Sequence, residues 1–293
     1  VLRQLAVRPH GYRPRAVLVN PLMRPSLVRV VAGLAMSGLF AAAGLPAHAA
    51  GQSTVTVKST RDPVDKSYRK MIRGMERFER ERAFAPNASL RFQLLPRLPN
   101  VDMRGITLRV AGDTVSVPVP VDDNNFFVLP RNTQALQEDA AVLASRKTAS
   151  MTWRARIETP GVPAGMRRLG DLRLECRVGK EAGLVSNSSP LFGWISDALD
   201  SPEGVCTSPD GNYLFFAERP IFAVTLRAGE RIETLPFSML YAGGDQTPDM
   251  LPFCDCQVLL DRTYYVPLWD ASWPDDTLVE FTYMVDPPAG VTP

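Results

Sequence analysis

Leu172-Arg173-Leu174-Glu175-Cys176-Arg177-Val178 places an apolar side chain at every second position, with a charged one between. A period of two predicts a β-strand with one face buried and the other wet. The fold class turns on this reading, because the same idiom recurs on both sides of it. Toward the N-terminus, Leu90–Leu94 and Met151–Ile157 alternate in the same way, and Ala141–Leu143 supplies a shorter strand. Ile106–Val110 and Thr114–Val117 flank the turn Ala111-Gly112-Asp113 and predict a hairpin. Val119–Val121, the polar turn Asp122-Asp123-Asn124-Asn125 and Phe126–Pro130 continue the pattern. Toward the C-terminus, Tyr213–Phe216 follows a Pro209-Asp210-Gly211-Asn212 turn, and Phe222–Leu226 with Arg231–Leu235 predicts a second hairpin. Cys256–Leu260, Thr263–Leu268 and Leu278–Met284 complete the strands, and Leu191–Leu199 reads as a short helix.

Many short strands joined by Gly, Pro and Asp turns predict a mainly β protein of one or two sandwich-like units. The run Thr159-Pro160-Gly161-Val162-Pro163-Ala164-Gly165 is the expected boundary, with a first β unit over 88–160 and a second over 165–286. Thr-Leu-Arg followed by Ala-Gly and an acid, at 107–113 and again at 225–230, suggests related units. Residues 50–87 hold the alternating strand Thr54–Lys58 and an amphipathic helix opening at Asp62-Pro63. Tyr68, Met71, Ile72, Met75 and Phe78 form its apolar stripe, and Lys66, Arg69, Lys70, Arg73, Arg77 and Arg80 its basic face. Such a helix packs its stripe on a sheet and shows its charges to water; lying on an acidic membrane is the alternative. The stretch Val117–Leu129, a polar turn followed by an aromatic pair and Val-Leu, resembles the strands of carboxypeptidase-regulatory-like (transthyretin-like) sandwiches. The whole chain is similar to exported proteobacterial proteins without an assigned activity. Neither resemblance implies a functional residue.

Residues 1–50 carry six Arg and no Asp or Glu. Met23–Arg29 is basic, Val30–Leu45 is apolar, and Ala47-His48-Ala49 follows: the three-part layout of a secretory signal. The expectation is a signal peptide over 23–49, translation starting at Met23 with residues 1–22 outside it, and no membrane span after cleavage. A mature chain beginning near Ala50 or Gly51 keeps 27 basic and all 31 acidic residues, a net charge of −4, which gives nucleic acid no electrostatic footing. Both histidines, His10 and His48, lie in the leader. Ser-His-Asp and Cys-His hydrolases, two-histidine metalloproteases and ordinary catalytic zinc sites are therefore excluded. Four cysteines in an exported chain predict disulfides. Cys254 and Cys256 are too close in sequence to pair well, so one is expected to join Cys176 and the other Cys206.

The densest aromatic and acidic patch is Tyr264–Asp276. Tyr264, Tyr265, Trp269 and Trp273 with Asp275 and Asp276 suit a glycan or peptide, whose faces stack on rings and whose protons go to carboxylates. The alternative is a strand whose rings enter the core, followed by an acidic turn. Ser67-x-x-Lys70 matches an element of penicillin-recognising enzymes but lacks its companions. No G-x-S-x-G, phosphate loop or dinucleotide fingerprint is present, so neither a catalytic residue, a cofactor nor a metal is expected. The expected function is non-enzymatic binding of an envelope protein or glycan, in the periplasm or secreted. A carboxylate-based hydrolase of cell-wall polysaccharide and an outer-surface assembly module are the alternatives.

Overall fold

The computed structural model describes residues 66–146, 150–184, 202–209, 213–241 and 259–284. The expected strand Thr54–Lys58, the helix Leu191–Leu199, Cys254 and Cys256 and the whole leader lie outside them. The described chain is mainly strand, arranged in antiparallel sheets. β1 (Lys66–Ser67) leads into α1 (Tyr68–Arg80), and β2 (Ser89–Pro96), β3 (Leu108–Ala111), β4 (Ser116–Val119) and β5 (Phe126–Phe127) follow. After α2 (Thr133–Gln137) come β6 (Ala141–Ala144), β7 (Met151–Glu158), β8 (Met166–Arg168) and α3 (Leu169–Glu181). The chain then forms α4 (Pro202–Thr207), β9 (Phe215–Phe216), β10 (Ile221–Ala228), β11 (Arg231–Thr234), β12 (Thr263–Tyr264) and β13 (Leu278–Tyr283).

The sheets run β1-β6-β3-β4, β5-β2-β7, β11-β10-β13-β8 and β12-β9. Each is built wholly from strands before Thr159 or wholly from strands after Gly165. Both predicted hairpins are present, β3 with β4 and β10 with β11. β4 and β5 belong to different sheets, so the turn at Asp122–Asn125 joins two sheets rather than one hairpin. The expected strand Cys256–Leu260 lies largely outside the described residues; its last residue, Leu260, opens a 3-10 turn over Leu260–Arg262.

The quoted stretch 172–178 is helix, not strand. Along an α-helix successive residues turn by roughly 100°, so positions two apart point to nearly opposite sides. Leu169, Leu172 and Cys176 enter one apolar core, with Phe215, Val224, Tyr264 and Trp273. Leu174, Val178 and Ala182 enter another, with Met71, Phe92, Val142 and Trp153. Two helical stripes of i, i+4 spacing, offset by two residues, add up to the alternation that mimics a strand. The charges between them form two polar edges. On the acidic edge, Asp171 accepts from Thr159 N (2.9 Å) and Oγ1 (2.6 Å), and Glu175 from Ile157 N (3.2 Å) and Arg167 (2.7 Å). On the basic edge, Arg177 lies over the Phe84 ring and Arg173 reaches the loop 268–275.

α1 begins at Tyr68, not at Asp62-Pro63; Ser67 Oγ accepts from Lys70 N at 3.3 Å. The Ser-x-x-Lys spacing is thus an N-cap, in which a side-chain oxygen satisfies a free helix N–H. Tyr68, Met71, Ile72 and Phe78 are buried, while Arg69, Arg73 and Arg77 pair with Asp139, Glu181 and Glu81. Gly74 permits close passage of α1 over α3: a Cβ there would stand 2.7 Å from Ala182 Cβ. No helix of the described residues is long and apolar enough to cross a membrane. Cys176 of α3 is bonded to Cys206 of α4, Cα to Cα 5.9 Å, which overturns the pairing of each with Cys254 or Cys256.

Candidate functional site

The structure does not bring the predicted patch together as one face. Tyr264 is fully buried in β12, its ring stacked on Phe215 (centroids 5.6 Å) and edge-on to Phe281 (5.0 Å). Trp273 is 1 % exposed, and the Arg231 guanidinium covers its ring at 3.5 Å. Neither ring can stack on a ligand, so both are corrected to core residues. Asp275 binds Arg173 Nη1 at 2.5 Å, and the carbonyls of Leu268, Asp270 and Trp273 accept from the same guanidinium at 3.0, 2.8 and 3.0 Å. The loop is therefore folded around a side chain of α3. Asp270 caps Ser272 N (2.9 Å), and the bonds from Ser272 hold its carboxyl below the ordinary range. Trp269, 44 % exposed, and Asp276 remain open to solvent, and half-buried Tyr265 packs beside Leu214 and Phe216.

That last contact leads to a cleft of about 420 Å³ that the sequence reading missed. Its lining comes from β2 (Gln93–Pro96), the turn before β5 (Asn124, Asn125) and Phe126 of β5, the stretch Phe216-Ala217-Glu218, Leu259 and Arg262. The turn is fixed locally. Asp122 Oδ1 accepts from Asn124 N (2.9 Å) and Phe126 N (2.8 Å), and Asn125 sits at φ 63°, a left-handed conformation that asparagine tolerates. Arg91 lies over the Phe126 ring at 4.0 Å. The facing wall is held by a reciprocal exchange: Ala217 N donates to Arg262 O (2.8 Å) and Arg262 Nη1 to Glu218 O (3.0 Å). Sequence reasoning could have found the Asp-Asp-Asn-Asn turn, which it did single out, but nothing local links that turn to residues 216–218.

Behind the same stretch lies a smaller cavity, about 60 Å³, lined by Arg156, Arg167, Tyr264, Phe281, Tyr283 and again Phe216, Ala217 and Glu218. Arg167 is buried against Glu175 at 2.7 Å; burial, the largest influence, lowers its pKa, but Glu175 together with Tyr264 and Glu158 overrides it and raises it. Burial pushes the hydroxyls of Tyr213 and Tyr264 well above 10. Burial alone would raise the Glu158 carboxyl, and Arg156 with Arg91 overrides it, leaving it below 4.5. A third space, about 300 Å³, is a groove between α1 and β2, lined by Met75, Phe78, Leu90, Val128 and Leu129 together with Glu79, Arg82, Ser89 and Arg131. No group of three His, Cys, Asp or Glu among the described residues is placed to hold a metal ion. Comparison with protein-family models, with curated proteins and with solved structures finds no match.

Proposed function

We propose that the chain is an exported protein of the bacterial envelope, periplasmic or secreted, that binds a glycan without transforming it. The observation that carries this reading is the cleft of about 420 Å³ beside Phe216-Ala217-Glu218. Its size falls within the range of small-ligand sites, about 300–1,000 Å³. Its polar lining matches sugar hydroxyls, each of which is donor and acceptor at once. Gln93, Asn124 and Asn125 offer both functions in one side chain, Glu218 accepts and Arg262 donates. Phe126 and Phe216 supply ring surface. Glycoside hydrolysis needs two carboxyl groups about 5–10 Å apart, and among the described residues this lining holds one, Glu218, which favours binding over cleavage.

Export is supported by the basic, apolar and small-residue layout of 23–49 and by the Cys176–Cys206 bond, a linkage typical of oxidising compartments. A sandwich for the first half is supported by one shared core: Phe92 and Trp153 of the three-stranded sheet belong to the same buried cluster as Val110 and Val142 of the four-stranded one. A protein partner is the second reading, favoured by Phe222 and Phe237, 68 % and 69 % exposed.

The test is affinity for oligosaccharides released from envelope polysaccharides, measured on chain 51–293. Asn124→Ala and Glu218→Gln should each weaken the best ligand by about tenfold, the loss of one or two hydrogen bonds. Wild-type affinity in both variants, or no binding of any envelope glycan, overturns the reading.

A further inference from the structure

The outer edge of β11 has no neighbour among the described residues. β11 ends the order β11-β10-β13-β8, and all four of its residues, Arg231–Thr234, are exposed. Which backbone groups face that edge follows from one bond. Leu235 N donates to Val224 O at 2.8 Å, so 224 with 235 is a hydrogen-bonded pair. Such pairs alternate along an antiparallel ladder, which makes Leu226–Glu233 and Ala228–Arg231 bonded pairs as well. Ile232 and Thr234 fall between them, so their N–H and C=O groups point away from β10.

The side chains alternate in the same way. Opposite residues share a face, which puts Arg231 and Glu233 on the side of Ala228 and buried Leu226. Ile232 lies on the other side, 57 % exposed. Arg231 reaches Glu233 of its own strand only at 3.4 Å. Charges on an edge strand usually deter a second strand. Here the order Arg-Ile-Glu makes them complementary to themselves under a two-fold rotation about Ile232.

We propose that β11 is the contact of a symmetric dimer, in which a second copy of this chain lays its own β11 antiparallel along the open edge. Ile232 stands opposite the partner's Ile232, and the two exchange both backbone hydrogen bonds. Arg231 then stands opposite the partner's Glu233, and Glu233 opposite the partner's Arg231. Charge selects this register. Sliding the copies by two residues opposes either the two Glu233 carboxylates or the two Arg231 guanidiniums. Sliding by four sets Pro236, which has no N–H, opposite Ile232. An odd slide opposes an edge-facing residue to one whose backbone is already bonded to β10. The contact joins two four-stranded sheets into one of eight strands, and its short ladder belongs to the weak class of interfaces.

The test is sedimentation equilibrium of chain 51–293 from about 10 µM to 1 mM, the range where small interfaces associate. Three variants accompany wild type: Glu233→Arg, Arg231→Glu and Ile232→Pro. Ile232→Pro removes only an N–H that the hairpin does not use, so it keeps the fold, which its melting temperature checks. Wild type should dimerise, and Glu233→Arg and Ile232→Pro should each weaken the dimer by about tenfold or more. Glu233→Arg and Arg231→Glu place like charges opposite one another when each is alone. Mixed in equal amounts they oppose Arg to Glu at both positions, and the dimer should return to within about threefold of wild type. A wild-type monomer at the highest concentration overturns the proposal. So does a dimer that persists unchanged in Glu233→Arg and Ile232→Pro, because the copies then meet elsewhere. Loss in the folded single variants without recovery in the mixture overturns the Ile232-centred register.

Discussion

Arg167 and Glu175 meet at 2.7 Å with side-chain exposures of 6 % and 7 %. In the sequence Glu175 looks like the wet side of a strand; in the fold its charge is buried and paired with Arg167. Taking one partner away leaves the other charge uncompensated in a low-dielectric interior. Glu175→Gln should therefore destabilise by about 3 kcal/mol in urea unfolding, at the lower end of the range for a broken buried pair. Glu138 is an acid of the opposite kind, exposed yet strongly hydrogen-bonded. It accepts from Thr114 Oγ1, Thr114 N (2.9 Å), Gln134 Nε2 (2.9 Å) and Val115 N (3.1 Å), with the Thr114 side chain the main cause of a pKa near 2. The folded pKa lies below the unfolded one, so the carboxylate stabilises fully above pH about 4.5. That contribution declines as pH falls toward about 2. The melting-temperature gap between wild type and Glu138→Gln should be present at pH 6 and close by pH 2. A gap unchanged at pH 2 would show that the turn at Gly112–Val115 does not depend on the carboxylate.

At the scale of elements, the sequence spoke clearly where structure is local and misled where it is shared. The hairpins of β3 with β4 and β10 with β11 were legible because a turn fixes register within a few residues: Gly112 N donates to Val115 O across the first. α3 was illegible because it serves two cores at once. Leu172 and Cys176 face one, Leu174 and Val178 the other, and neither stripe is visible without knowing that both sides are covered. The Arg and Glu residues between them gave no warning, since their partners, Asp275 and Arg167, sit on other elements. The disulfide was misassigned for a related reason. Eliminating a Cys254–Cys256 pair does not by itself force both to reach back to Cys176 and Cys206. The Cys176–Cys206 bond ties α3 to α4 across 30 residues of sequence, and closing a loop of that size is worth about 3–4 kcal/mol in the chain-entropy account. Cys176→Ala should lower stability by about that amount. Peptide mapping of unreduced protein should recover Cys176 joined to Cys206; recovery of Cys176 with Cys254 or Cys256 would contradict the fold around α3.

For the whole molecule, no sheet mixes strands from before Thr159 with strands from after Gly165, while α3 enters both apolar cores. The position of the site was not readable. Its walls come from β2, the Asp122–Phe126 turn, residues 216–218 and Arg262, brought together only once both sets of sheets have formed. The aromatic patch drew attention because it is dense in sequence, but its density reflects a core strand and a loop wrapped on Arg173. The groove between α1 and β2 and the exposed Phe222 and Phe237 are the competing surfaces. A single map distinguishes them from the cleft. Labelled chain 51–293 is titrated with envelope oligosaccharides while backbone and side-chain amide resonances are followed. Shifts that saturate together at Gln93, Asn124, Asn125, Phe216–Glu218 and Arg262 are the predicted result. Shifts confined to Val128 and the α1 groove or to Phe222 and Phe237, or none at all, would contradict the account.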